Sequence, residues 1–134
     1  MSDRGICILV VDDEPDVADL FRQRFRRELR DGTYKLRFAL SAEAALDHLR
    51  SDERHDPMLV LSDVNMPGTD GLALLEAIHQ EWPDLPVMVV TAYGDEERRR
   101  RAAALGAADF LSKPVDFDHL KRRLRDIGPH GPTA

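Results

Sequence analysis

Runs of consecutive apolar residues alternate along this chain with stretches whose apolar residues recur every three or four positions. No other feature of the sequence restricts the fold as much. Ile6 to Val11, Met58 to Leu61 and Val87 to Val90 are unbroken apolar runs, the pattern of strands covered on both faces of a parallel sheet. Tyr34, Leu36 and Phe38 alternate with Lys35 and Arg37, which marks an edge strand. Ala108, Phe110 and Leu111 predict a short fifth strand ending at Ser112 and Lys113. Between these runs lie amphipathic helical patterns: Val17, Leu20, Phe21 and Phe25; Ala42, Ala45, Leu46 and Leu49; Leu72, Leu75 and Ile78; Phe117, Leu120, Leu124 and Ile127. The stretch from Asp95 to Leu105 predicts the fourth helix, its alanines facing inward. Ser41, Asp70 and Asp116 suit N-caps, and Gly128 followed by Pro129 is a helix stop.

Five β–α units in series predict an α/β fold, a doubly wound five-stranded parallel sheet with helices on both faces. With the second strand at the edge, the order is 2-1-3-4-5, the flavodoxin-like (βα)5 arrangement. A chain of 134 residues is the size of one ordinary domain. We expect that domain over residues 1–127, followed by a loose tail over residues 128–134 with no output domain. A net charge of -6 argues against a general nucleic-acid binder, which needs excess positive charge to meet phosphates. The single cysteine, Cys7, lies inside an apolar run, so no internal disulfide forms and a buried thiol is expected. No stretch is long and apolar enough to span a bilayer and the N-terminus lacks a signal-peptide pattern, so a cytoplasmic location is expected.

The strand ends carry the chemistry. Asp12 and Asp13 follow the first strand, Asp63 the third, Thr91 the fourth and Lys113 the fifth. In a parallel sheet these ends converge, at the edge where open α/β sheets bind ligands. Carboxylates so close repel unless a cation joins them. Hard oxygen ligands that leave room for water and phosphate oxygens suit Mg2+. A hydroxyl and an ammonium beside them complete a site for magnesium-assisted phosphoryl chemistry. Taken singly, Asp13 also reads as a cap for the helix starting near Pro15, and Asp63 as part of a turn with Asn65.

Val10-Val11-Asp12-Asp13-Glu14-Pro15, Asp63-Val64-Asn65-Met66-Pro67-Gly68 with Asp70-Gly71, Thr91-Ala92 and Lys113-Pro114 together resemble the four signatures of the receiver (CheY-like) domain of two-component response regulators. The resemblance spans Ile6 to about Ile127. It implies a phosphorylation-activated signalling switch of a phosphorelay rather than a conventional enzyme, one that catalyses its own Mg2+-dependent phosphotransfer and autodephosphorylation. Asp63 is then the acceptor of a phosphoryl group from a sensor histidine kinase or histidine phosphotransfer protein. Asp13, Asp63 and the backbone carbonyl of Asn65 are implied as direct Mg2+ ligands, with Asp12 acting through water, and Thr91 and Lys113 as contacts for the phosphoryl oxygens. The family pattern also implies a cis Lys113-Pro114 bond. It makes Phe110 a switch aromatic that follows Thr91; the competing reading is a plain core side chain. Asn65 and Tyr93 match positions that influence access of hydrolytic water.

The implied output surface comprises the helix after Thr91, the last strand and the final helix. There a downstream protein target or a second copy of the chain would dock, with no direct contact to nucleic acid or membrane. Arg98 to Arg101 lie on that helix; four consecutive helical residues point in every direction, so a solvated face and a surface for acidic partners both remain open. Arg22, Arg24, Arg26, Arg27 and Arg30 make the first helix basic, and it borders the place where a phosphodonor would dock. The five histidines show no metal-ligand spacing. Three rival classes fit poorly, the first a pseudo-receiver used as a binding scaffold, which would lack an acidic strand end or the lysine where every site group is present here. A flavodoxin needs hydroxyl and glycine donors where Asp12-Asp13-Glu14 stand. A haloacid-dehalogenase-type phosphohydrolase needs its nucleophile after the first strand, in an Asp-x-Asp arrangement.

Overall fold

The computed structural model describes residues 6–51, 58–64, 71–92 and 94–127. In chain order the elements are β1 (Ile6–Val11), α1 (Pro15–Arg24), α2 (Arg26–Asp31), β2 (Tyr34–Ala39), α3 (Ala42–Arg50), β3 (Met58–Asp63), α4 (Gly71–Glu81), β4 (Val87–Thr91), α5 (Glu96–Ala104), β5 (Asp109–Ser112) and α6 (Phe117–Ile127). The five strands form one sheet in the order β2-β1-β3-β4-β5, and every pairing is parallel. The predicted fold class and strand order therefore hold.

Alternation along each strand sends side chains to two cores. Ile8, Val10, Leu59, Leu61, Met88 and Val90 face α1 and α6, where Phe21, Phe25, Leu120 and Leu124 close over them. Cys7, Leu9, Val11, Val60, Val87 and Val89 face α3, α4 and α5, against Ala45, Leu49, Leu75, Ile78 and Ala102. Burial of this extent is worth about 1.5–3 kcal/mol for each large aliphatic side chain. It fixes the strand register and so the positions of the strand ends. The Cys7 thiol is buried, and that burial pushes its pKa up.

Four expectations need correction. The first helical segment is not one helix: at Phe25 the backbone turns to φ -103°, ψ 16°, separating α1 from α2. Phe25 is fully buried; it stacks on Phe21 at 5.8 Å and meets Tyr34 and Phe117 edge-on at 5.7 and 6.2 Å. We attribute the break to this aromatic cluster, which draws Phe25 inward at the cost of regular helix geometry. Leu20, expected on the apolar face of α1, is 40% exposed. On α5 only Ala102 is buried, while Ala103 and Ala104 face solvent, because the inward face of this helix is a single residue wide near its C-terminus. Finally, β5 begins at Asp109, one residue later than Ala108.

Helix ends follow capping chemistry. The Ser41 hydroxyl accepts from the Ala44 amide at 3.0 Å, and Asp95 and Asp116 accept from Arg98 and His119 amides, each at 3.2 Å. After α5, Gly106 takes φ +100° while its amide and that of Ala107 return to Ala103 and Ala102 carbonyls. This Schellman closure needs the left-handed region that glycine adopts freely, and it aims the chain into β5. The expected Asp70 cap, the Gly128-Pro129 stop and the tail lie outside the described residues.

Candidate functional site

The C-terminal ends of β1, β3, β4 and β5 meet at one edge of the sheet, and backbone hydrogen bonds set their relative heights. The Asp12 amide donates to the Ala39 carbonyl, Val64 to Val90, and Lys113 to Thr91, at 3.1, 3.1 and 2.9 Å. Asp63, the last residue of β3, is 4% exposed and Thr91, the last of β4, is 3% exposed. Lys113, one residue past β5, reaches across to them. Its Nζ donates to Asp63 Oδ2 at 2.6 Å. A charged bond of this length is the strong class of hydrogen bond. Pro114 follows through a cis peptide bond, as the resemblance implies.

Asp12 and Asp13 are half-buried in the loop from β1 to α1. Asp12 Oδ1 accepts from the Glu14 amide at 3.0 Å, folding the loop back on itself. The N-cap of α1 is Glu14, with no side-chain capping bond and Pro15 at the first turn. Asp13 therefore does not serve as the cap of α1. Gly71 brings α4 close behind the end of β3: a Cβ there would stand 2.5 Å from Val64 Cα and 2.9 Å from the Asp63 carbonyl oxygen. Only glycine allows that approach.

Electrostatics mark the same spot. Burial raises the Asp12 carboxyl above its ordinary value, the charges of Asp63 and Asp13 raise it further, and the Glu14 amide and Lys113 oppose them. Burial would lower the Lys113 ammonium, but the hydrogen bond and charge of Asp63, with Asp12 and Glu14 behind it, hold it above the usual lysine range. The site thus holds more negative charge than one ammonium offsets. That is the condition in which a divalent cation binds favourably. Among the described residues no three His, Cys, Asp or Glu side chains already stand in a ligating cluster, and Asn65 lies outside the described residues, as does Tyr93. The donor set itself, two or three carboxylates with a repulsion to relieve, fits a hard cation.

Beside Asp63 opens a cleft of about 710 Å³. Asp12, Glu14, Asp63 and Lys113 line its polar end, and Val17, Leu20, Phe21, Val115 and Phe117 its apolar wall between α1 and α6. Sequence reasoning passed over Glu14 as a wall of this site, and over the partly exposed Leu20 as part of the cleft. Glu14 adjoins the Asp12-Asp13 pair in the sequence, a signal that marks it, whereas the helical spacing of Leu20 carries none.

On the other side of the sheet, Thr91 shares a face with Val89, which pairs with Phe110. Phe110 is half-buried and packs against the buried cluster that holds Val89 and Ala102, so it belongs to the core yet keeps an open side. Two further contacts escaped the sequence. Arg99 lies over the Phe110 ring at 5.1 Å. Arg123 pairs with the buried Asp109 at the start of β5, and although burial raises that carboxyl, the bonds it accepts from the Arg123 guanidinium and from the Phe110 amide hold it below its ordinary value.

Known proteins share this fold. The family model of the response regulator receiver domain matches residues 8–125. The transcriptional regulatory protein ZraR of Escherichia coli K12 is 37% identical over 130 residues, covering 97% of this chain and 28% of ZraR. Response regulator Rre1 of Synechocystis is 37% identical over 125 residues, 91% of this chain and 51% of Rre1. The chain thus spans about a quarter to a half of these relatives. Among solved structures, the receiver domain of NtrX from Brucella abortus superposes with a TM-score of 0.75 at 35% identity, covering 90% of this chain and 96% of that one. The signal receiver domain of an HD domain-containing protein from Pseudomonas fluorescens Pf-5 gives 0.80 at 31% identity, covering 92% and 94%. Matched by the family model over nearly its whole length and similar in fold to solved receiver domains, the chain belongs to the response regulator receiver domains of two-component systems.

Proposed function

We propose that Asp63 is the phosphoryl acceptor of this receiver domain, and that a phosphohistidine on a sensor kinase or phosphotransfer protein is the donor. The observation that carries this reading is the buried Asp63 carboxylate held by Lys113 at 2.6 Å at the floor of an open cleft. A carboxylate oxygen of Asp63 attacks phosphorus and the P–N bond to the donor imidazole breaks. The imidazole nitrogen takes up a proton and an acyl phosphate remains. Such transfer asks a protein mainly for alignment and charge neutralisation.

Receiver domains use Mg2+ at the phosphorylation site. Asp13, Asp63 and the Asn65 carbonyl would hold it here, with Asp12 acting through water, and when bound it supplies positive charge to the transferring oxygens. Lys113 would supply further positive charge by shifting from the carboxylate to a phosphoryl oxygen. The Thr91 hydroxyl donates to another. The apolar wall around Val17 and the partly exposed Leu20 gives the donor protein a docking surface, and Arg24 of α1 borders it. Hydrolysis of the acyl phosphate by the same groups resets the switch.

Drawing Thr91 towards Asp63 frees space that Phe110 can enter, and this changes the surface made by α5, β5 and α6. Phosphorylation biases an existing equilibrium of the domain. A downstream protein or a second copy docks on that surface, which carries Arg98, Arg100 and Arg101.

Incubation with acetyl phosphate and Mg2+ tests the acceptor. One hydroxylamine-labile phosphoryl group should appear and map to Asp63, and Asp63→Asn should abolish it. Stoichiometric label in the Asp63→Asn protein contradicts the assignment.

A further inference from the structure

We infer that Arg99 is a positioning residue that holds the switch aromatic Phe110 in its outward state and so sets how readily this domain is activated. The inference rests on the reading of Thr91 and Phe110 as the relay from Asp63. Arg99 is exposed on α5 and its guanidinium carbon stands 5.1 Å from the centroid of the half-buried Phe110 ring. Its neighbour Arg98 is occupied otherwise, pairing with Asp95 at 2.9 Å. The contact is therefore particular to one of four consecutive arginines, as expected when helical residues point in different directions.

The contact is tied to where the Phe110 ring stands on β5. Phe110 pairs with Val89, and Thr91 lies two residues further along β4 on the same face. A ring that turned towards Thr91 would leave the surface where Arg99 covers it. An exposed cation–π contact is modest, and losing it on one side of an equilibrium changes the population ratio about two- to fivefold. That is enough to tune a switch whose two states are closely balanced. Arg99 thus opposes activation, and every ligand that favours the inward ring works against it.

Two arms of one experiment decide this. In the first, NMR contacts from the Phe110 ring to the Thr91 methyl are measured with no phosphoryl mimic present, in wild type, Arg99→Ala, Arg99→Lys and Arg100→Ala. The Arg99→Ala ring should show stronger contact with Thr91, Arg99→Lys an intermediate value, and Arg100→Ala the wild-type value. In the second, beryllofluoride with Mg2+ is titrated into the same proteins. Arg99→Ala should bind about two- to fivefold more tightly, and the gain should vanish in a Phe110→Leu background. An unchanged ring in Arg99→Ala overturns the inference, as does a gain that persists without Phe110. Beryllofluoride binding to none of the proteins would count against the Asp63 site instead, and the first arm would still decide the role of Arg99.

Discussion

Replacing Lys113 with methionine removes the ammonium that stands 2.6 Å from Asp63 Oδ2 and keeps a side chain of similar length. The Asp63 side chain is 5% exposed and that of Lys113 42%, so the pair lies between two limits. Breaking a fully buried pair costs about 3–5 kcal/mol, and an exposed one about 0–1 kcal/mol. For the metal-free protein we therefore expect Lys113→Met to lower stability by about 2 kcal/mol, the middle of that range. In a domain of this size that corresponds to a fall in Tm of roughly 6–10 °C. Asp63→Asn should behave oppositely, because it relieves the repulsion felt by Asp12. The double variant should recover most of the loss, since no uncompensated carboxylate remains. Urea unfolding of all four proteins without Mg2+ gives the coupling directly. If Lys113→Met costs the same whether residue 63 is Asp or Asn, the ion pair contributes nothing and the electrostatic argument fails.

Millimolar Mg2+ should stabilise the wild type by about 1–3 kcal/mol through preferential binding to the native state, and Asp13→Asn should lose most of that gain; equal stabilisation of both would place the cation elsewhere. Asp12 and Asp109 should respond to pH with opposite signs. The raised Asp12 carboxyl favours the folded state below its ordinary value, and that contribution is lost as pH rises through the folded value, so Asp12→Asn should stabilise the metal-free protein at pH 7 and converge on wild type in acid. The lowered Asp109 carboxyl stabilises above its ordinary value and loses this as pH falls through the folded one, so Asp109→Asn should destabilise at pH 7 and converge in acid; urea midpoints across that range check both. Gly71→Ala should cost about 1–3 kcal/mol by overpacking against Val64 and the Asp63 carbonyl, with a parallel loss of phosphoryl acceptance measured by acetyl phosphate labelling.

The strands were legible because β1, β3 and β4 are buried on both faces and read as continuous apolar runs. Their ends were legible for the same reason: polar residues interrupt those runs where the core stops. The break at Phe25 was not legible, since Phe21 and Phe25 keep helical spacing and only the third-dimensional neighbours Tyr34 and Phe117 pull the chain off its path. Nor could the alanines of α5 be sorted, because alanine fits buried and exposed positions alike and only Ala102 meets the core. Asp12, Asp63, Thr91 and Lys113 were identifiable at the strand ends, but their roles needed the family resemblance. The Arg99 and Arg123 contacts depend on side-chain directions that spacing leaves undetermined among consecutive arginines.

The central claim is that chemistry at Asp63 changes a distant surface of the same domain. Amide NMR spectra with and without beryllofluoride, in wild type and Thr91→Ala, test it most directly. In the wild type, shifts should extend from the strand ends through Phe110 to Glu96–Ala104, and in Thr91→Ala they should stop near Asp63. Shifts confined to the strand ends in the wild type, with Phe110 and Glu96–Ala104 unmoved, would contradict the account.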